Sequence, residues 1–214
     1  MTTRTFLKVL KVTSAGAVCL ALGTGNIAQA ATIDFDNGTA GNSIGSFYAD
    51  QGVTFSNATW QNFGPLAGTS PPLALASGNS EFPGVFSRLT PIVGVFSSAQ
   101  TLLSIVGADI GAAGIRIDAY DAVVGGNLVG FDQFIGIKRG TGIFSTLSVE
   151  AASIRRFELY QVSDGFASGD GVALDNLTFQ ATPVPTPALL PGLIGLGISA
   201  LRKRREAAEQ ANNA

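Results

Sequence analysis

The stretch Ile115-Arg-Ile-Asp-Ala-Tyr120 places apolar side chains at every second position and polar ones between them. Because successive side chains of a β-strand point to opposite faces, this pattern predicts a strand with one buried and one solvated face. Ten further runs are similarly alternating or rich in β-branched residues, and Gly, Asn, Asp or Ser separates nearly all of them. They are residues 32–36, 52–56, 59–63, 84–88, 92–96, 102–106, 128–132, 143–149, 154–160 and 172–179.

Residues 31–181 therefore predict one all-β domain of about 150 residues. No stretch within it keeps a helical period for three turns, so alternating strand–helix units are not expected. Short strands separated by turn residues are typical of a two-sheet β-sandwich or jelly roll. The segment 64–84 is rich in Pro, Gly and Ser and is predicted to be one long loop.

The part of the chain between its two ends is acidic. Residues 31–187 hold six Lys and Arg against thirteen Asp and Glu, a net charge of −7, although the whole chain carries −2. Binding to DNA or RNA needs clustered cations, so nucleic acid is not expected as a partner. Histidine is absent, and the one cysteine, Cys19, lies near the N-terminus. This composition excludes Ser-His-Asp and Cys-His catalysis and histidine-bound zinc from the domain.

The N-terminus has the three parts of a secretory signal peptide, predicted over residues 1–30. Arg4, Lys8 and Lys11 form a cationic start, and residues 12–22 form an apolar segment. Small residues then precede the expected cleavage point between Ala30 and Ala31. Signal peptidase is therefore an expected partner, and the domain is expected to be exported.

The last thirty residues also have several parts. Residues 182–187 form a Pro-rich linker, and the apolar run 188–201 begins a predicted sorting helix over 188–205. The apolar run covers about 21 Å as a helix, less than the roughly 30 Å of a bilayer core, so its length alone also fits a buried core helix. Upstream prolines and a stop-transfer cluster favour transient membrane insertion, with the tail 206–214 in the cytoplasm. The cluster consists of Arg202, Lys203, Arg204 and Arg205.

This order of parts resembles the PEP-CTERM protein-sorting signal of exopolysaccharide-producing bacteria. The resemblance covers residues 183–206. Within it, the sorting motif is similar to that of the cyanobacterial PTPA-CTERM variant. It implies an exosortase-type membrane protease as partner, which cleaves near the motif and passes the protein to the cell surface. The sorting motif consists of Pro185, Thr186, Pro187 and Ala188.

The domain also resembles the β-sandwich ectodomains that precede such tails. The matching pieces are Ile33-Asp-Phe-Asp36, Gly52-Val-Thr-Phe55, Ile117-Asp-Ala-Tyr-Asp121 with residues 125–130, and residues 171–179. These ectodomains are similar to galactose-binding or carbohydrate-binding jelly rolls. The resemblance implies an extracellular polysaccharide as partner and glycan binding or adhesion as function.

Carboxylates near both ends of the domain suit calcium, which takes six to eight oxygen ligands. In lectin-like jelly rolls, which this chain resembles, a structural ion often joins the first strand to the last. The resemblance implies a structural calcium held by Asp34 or Asp36 and by Asp175, together with Asn37. The alternative is that these are outward positions of alternating strands. No other cofactor is expected.

Sugar binding calls for an aromatic ring that stacks on the sugar and for polar groups that hold its hydroxyls. Trp60, the only tryptophan, is followed by Gln61 and Asn62 and is the candidate ligand-binding ring. The alternative is a core position, because aromatic rings bury a large area. The fourteen phenylalanines, mostly on predicted strands, are interpreted as core.

No catalytic residue is expected, but one enzymatic hypothesis stays open. A secreted carbohydrate-active hydrolase or lyase would need two carboxyl groups roughly 5 to 9.5 Å apart. The candidate pairs are Asp118 with Asp121, and Asp164 with Asp170. Aspartates beside glycines are equally what turns require.

Overall fold

The computed structural model describes residues 30–78, 84–139, 141–163, 171–181 and Arg205. The described domain is all-β and antiparallel, as the alternating pattern predicts, and its only helical element is a 3₁₀ turn at Ala49–Gln51. Its strands are β1 Ala30–Ile33, β2 Val53–Ser56, β3 Ala58–Gln61, β4 Ala74–Ser77, β5 Ile92–Ala108, β6 Ile115–Tyr120, β7 Leu128–Phe134, β8 Phe144–Tyr160 and β9 Ala173–Ala181.

Two long strands, β5 and β8, organise the sheet. Each has 17 residues, and they pair with one another along most of their length. The first part of β5 has β2 on its other edge, whereas the second part has β9. The second part of β8 pairs with β6, which pairs with β7, while β9 continues to β1 and to β4 and β3. All nine strands belong to one continuous sheet.

The sheet folds over its own core. Register shifts between Val95 and Leu102 interrupt the pairing of β5, and such bulges bend a strand. The path from β8 through β6 to β7 then returns to the first part of β8, where Asp132 Oδ2 accepts a hydrogen bond of 2.9 Å from the Ser148 amide. Buried side chains from eight of the nine strands join one hydrophobic cluster, and β7 packs against it through the partly buried Val129 and Phe134. This arrangement is compatible with a β-sandwich.

The strand positions differ from the sequence-based prediction in several places. Residues 34–36, predicted to belong to the first strand together with Asp34 and Asp36, follow the end of β1 at Ile33. Residues 92–96 and 102–106, predicted as separate strands, are parts of β5, and residues 143–149 and 154–160 merge in the same way into β8. Between these runs Gln100 pairs with Ile154 and Glu150 pairs with Leu102, so each long strand continues through a bulge and does not end in a turn.

The predicted loop 64–84 contains a strand, β4, and the predicted strand 84–88 is irregular. In β4 all four residues are buried, so no polar face marks the strand in the sequence. In residues 84–88 the backbone is held by Gln161, whose backbone N–H donates to the Phe86 carbonyl at 2.9 Å.

Most of the predicted targeting residues lie outside the described part of the chain. This is true of residues 1–29, of the linker and sorting motif, and of the apolar run and basic cluster except Arg205, which is exposed. Ala30 and Ala31, the predicted cleavage pair, begin β1 and pair with Gln180 and Phe179. Within the described ranges, no helix combines the length and apolarity needed to cross a bilayer.

Candidate functional site: a cleft beside the third strand

The loop between β1 and β2 is hydrogen-bonded to the edge of β3 that does not pair with β4. Its Gly41 amide donates to the Trp60 carbonyl at 2.7 Å, and its Ile44 amide donates to the Ala58 carbonyl at 3.0 Å. In return, the Trp60 amide donates to the Asn42 carbonyl at 3.2 Å. These bonds extend the sheet pattern into the loop, and rigid scaffolding of this kind is what a binding loop needs.

A cleft of about 410 Å³ lies between this loop and β3. Its size falls within the roughly 300–1,000 Å³ range typical of small-ligand sites. The lining combines hydroxyl and amide side chains with one exposed aromatic ring, Phe47, which is 53% exposed. The lining residues are Asn37, Gly38, Thr39, Asn42, Ser43, Ile44, Ser46, Phe47 and Trp60.

Trp60 is part of this lining but is only 3% exposed. Phe47 lies edge-on to it, with 4.9 Å between the ring centroids. Gly38 also lies against the indole, since a Cβ atom there would come within 2.1 Å of its Cε2. Trp60 therefore forms a wall of the cleft, and Phe47 offers the accessible ring.

Sequence reasoning missed Phe47 because it treated every phenylalanine as core. The neighbouring residues carry a signal that could have found it. Gly45 and Ser46 are turn formers that precede Phe47 within a segment without strand alternation. A phenylalanine in a polar loop is a stronger candidate for exposure than one on an alternating strand.

A short chain of hydrogen bonds runs beneath the cleft. Trp60 Nε1 donates to the Tyr48 hydroxyl at 3.4 Å, and that hydroxyl donates to Asn37 Oδ1 at 2.6 Å. Burial raises the pKa of Tyr48, the Trp60 hydrogen bond lowers it, and the negative charges of nearby carboxylates raise it further. Those carboxylates belong to Asp34, Asp36 and Asp175.

Each of the three predicted calcium ligands accepts at least one hydrogen bond from the protein. Asp175 is fully buried and accepts from the Ser70 amide at 2.7 Å, the Ser70 hydroxyl at 3.0 Å and the Asn176 amide at 2.7 Å. Asp36 accepts from the Leu73 amide at 2.9 Å. Asp34 accepts from the Asp36 amide at 3.3 Å.

Burial raises the pKa of Asp175 to about 6, against the lowering effect of its hydrogen bonds with Asn176 and Ser70, and the charge of Asp36 adds a further raising effect. Within the described ranges, His, Cys, Asp and Glu side chains form no group of three suited to a metal ion. Calcium binding at Asp34, Asp36 and Asp175 stays a prediction.

The carboxylates of the enzymatic hypothesis hold local structure. Asp118 is 2% exposed and accepts two hydrogen bonds, one from Arg116 Nε at 2.7 Å and one from the Tyr160 hydroxyl at 2.7 Å. Asp121 closes the turn before β7 by accepting from the Asn127 amide at 2.7 Å and side chain at 3.0 Å. These bonds lower the pKa of Asp121. Asp164 and Asp170 lie outside the described residues.

Comparisons with known proteins give structural similarities alone. No family model and no curated protein matches the chain. The cleaved adhesin domain of Lys-gingipain matches with 14% identity over 71% of this chain and 99% of its own, with a TM-score of 0.43. A family 29 carbohydrate-binding module from Piromyces equi matches with 12% identity over 76% of this chain and 98% of its own, with a TM-score of 0.38. A β-1,3-glucan-binding module from Bacillus halodurans matches with 12% identity over 63% of this chain and 92% of its own, also at 0.38.

Proposed function

We propose that this chain is an exported, non-catalytic glycan-binding protein of the bacterial cell surface, with a β-sandwich or jelly-roll domain that binds sugar in the cleft beside β3. The observation that carries the proposal is the lining of the cleft. Phe47 presents an accessible ring beside Asn37, Thr39 and Asn42, all of them exposed. A pyranose has apolar C–H faces and a rim of hydroxyls, so it needs one aromatic surface and several neutral hydrogen-bonding groups.

The cleft also differs from the sites used for glycoside hydrolysis. Such hydrolysis needs one carboxyl group as an acid and a second as a base or nucleophile. The groups that line the cleft are hydroxyls, amides and apolar side chains. Asp118 and Asp121, the described candidates for a catalytic pair, are engaged with Arg116, Tyr160 and Asn127. This arrangement supports binding without turnover.

Replacing the exposed ring tests the proposal. The domain is run through native gels that contain dissolved neutral polysaccharides, and the delay in migration gives an affinity. For Phe47→Ala we expect up to about tenfold weaker retention, because a stacked aromatic ring contributes on the order of 1 kcal/mol. Phe144→Ala is the matched control, since Phe144 is equally 53% exposed and lies outside the cleft lining. Equal retention of both variants and the parent would contradict the cleft as the site.

Export and sorting form the other half of the proposed function. The sequence features at both ends support cleavage after Ala30 by signal peptidase and processing near Pro185–Ala188 by an exosortase-type protease. Mass spectrometry of the surface-exposed form tests this, and the expected protein begins at Ala31 and lacks Arg202–Arg205. Recovery of surface protein that retains the basic cluster would refute the processing.

A further inference from the structure

We propose that the cleft selects a neutral sugar and that Asn37, oriented by Tyr48 and Trp60, donates the hydrogen bond that recognises it; this inference rests on the function proposed above. The juxtaposition of an exposed amide, a buried hydroxyl and a buried indole gives the cleft a fixed direction of hydrogen bonding. The direction follows from the chemistry of the three groups.

The indole determines the direction because its N–H can only donate. Tyr48 oxygen therefore accepts from Trp60 Nε1. Tyr48 is 1% exposed as a residue, so the proton of its hydroxyl goes to the protein partner within reach, Asn37, at 2.6 Å. A donor at this distance needs an acceptor, which means that Asn37 presents Oδ1 to Tyr48.

The consequence for Asn37 is that its Nδ2 group points away from Tyr48. Asn37 is exposed and belongs to the cleft lining, so its two N–H groups are available to a ligand. An oriented amide nitrogen presents donors and no acceptor. Asn37 is thus suited to a hydroxyl or ring oxygen of a sugar whose apolar face lies on Phe47.

Charge disfavours an acidic sugar at this position. The carboxylates of Asp34, Asp36 and Asp175 create negative potential at Tyr48, which contacts the lining residues Asn37 and Trp60, and residues 31–187 carry a net charge of −7. A uronate, sulfate or phosphate group would be repelled, although the amide donors alone would accept it. The combination of donors and negative surroundings fits a neutral hexose unit.

Tyr48 is accordingly a positioning residue, and its role can be separated from simple packing. Tyr48→Phe keeps the ring that contacts Phe35, Phe47 and Trp60 but removes the hydroxyl link. Asn37→Asp keeps an acceptor for the Tyr48 hydroxyl and replaces the donors by a charged acceptor. Asn62→Asp adds the same charge outside the lining, at a side chain that only accepts from the Gly64 amide.

The experiment measures binding of two soluble probes, dextran as a neutral glycan and polygalacturonate as an acidic one, to the full chain and these variants. Trp60 is the sole tryptophan, so its fluorescence reports binding from the wall of the cleft. A panel of further neutral glucans replaces dextran if its linkage is not accepted. We expect the parent to bind a neutral probe and not polygalacturonate. Asn37→Asp should weaken neutral binding by about tenfold or more, and Asn62→Asp by less than about twofold.

A double-variant cycle decides whether Tyr48 acts through Asn37. Tyr48→Phe should weaken binding in the parent background but have no further effect in the Asn37→Asp background, because the oriented donor is already lost. A merely structural role would give the same factor in both backgrounds, which would overturn the positioning of Asn37. Binding of neutral glycan that is insensitive to Asn37→Asp, or stronger binding of polygalacturonate, would overturn the inference alone. If the parent binds no glycan of either class, the proposed function fails and the inference fails with it.

Discussion

At the scale of single residues, Asp175 shows how the domain balances a buried charge. The carboxylate lies on β9, and three hydrogen bonds from Ser70 and Asn176 offset part of its desolvation. They do not offset all of it, because the pKa of Asp175 remains raised to about 6. The folded domain therefore holds the Asp175 proton more tightly than the unfolded chain does.

This raised pKa predicts that the contribution of Asp175 to the stability of the domain falls as the pH rises from about 4 to about 6.5. Protonated Asp175 favours the folded state fully below its unfolded pKa of 3.8, and this contribution disappears as the pH passes about 6. The change is on the order of 3 kcal/mol. Urea unfolding of the parent and of Asp175→Asn across this range checks it, and the variant should lack this part of the pH dependence.

Bound calcium would change the same profile in the opposite direction. A cation at Asp175 stabilises the ionised carboxylate, so millimolar calcium should raise the melting temperature at neutral pH and reduce the loss of stability between about pH 4 and 6.5. Magnesium at equal concentration controls for ionic strength. Identical profiles in calcium, magnesium and chelator would count against Asp34, Asp36 and Asp175 as ligands.

At the scale of elements, the sequence pattern revealed strands where one face is polar. Alternation placed β6 correctly, where Ile115, Ile117 and Ala119 are buried, and it placed most of β7, whose side chains differ in polarity although none of them is buried. The pattern could not reveal β4, whose Ala74, Leu75, Ala76 and Ser77 are all buried. Nor could it reveal that β5 continues through residues 97–101, since small and polar residues there resemble a turn.

The interior position of β4 predicts that small side chains are required there. Ala76 has no exposed surface, so Ala76→Val adds two methyl groups to a packed site and should lower the free energy of unfolding by about 1–3 kcal/mol. Ala152→Val is the control, because Ala152 is an exposed alanine of β8 and a valine suits a strand. Its effect should stay within about 0.5 kcal/mol. A neutral result for Ala76→Val would mean that β4 is a surface loop after all.

At the scale of the whole molecule, amino-acid composition narrowed the possible classes of function, whereas no sequence motif predicted the position of the cleft. Because the domain has no histidine and no cysteine, triads built on those residues were not expected in it. Because its net charge is negative, nucleic acid was not expected as a partner. The cleft could not be predicted, because it forms where the loop carrying Asn37 and Phe47 meets Trp60, residues that only the paired backbone brings together. The sequence makes Trp60 a candidate ligand-binding ring or a core residue, but which of its neighbours is accessible depends on burial.

The two classes of function make opposite statements about Asp118. In a binding domain, Asp118 is a buried structural carboxylate that accepts hydrogen bonds from both Arg116 and Tyr160. Asp118→Asn should then lower the free energy of unfolding by about 1–3 kcal/mol. Glycan retention below the melting temperature should not change, because Asp118, Arg116 and Tyr160 lie outside the cleft lining.

In a hydrolase or lyase, the same Asp118→Asn substitution would abolish turnover while the protein stays folded. Measuring reducing-end release from neutral polysaccharides beside unfolding curves separates the two, with Asp121→Asn as a second carboxylate at the same strand end. Release by the parent that is lost in folded Asp118→Asn would favour the enzyme, since a binding domain has no reaction to lose.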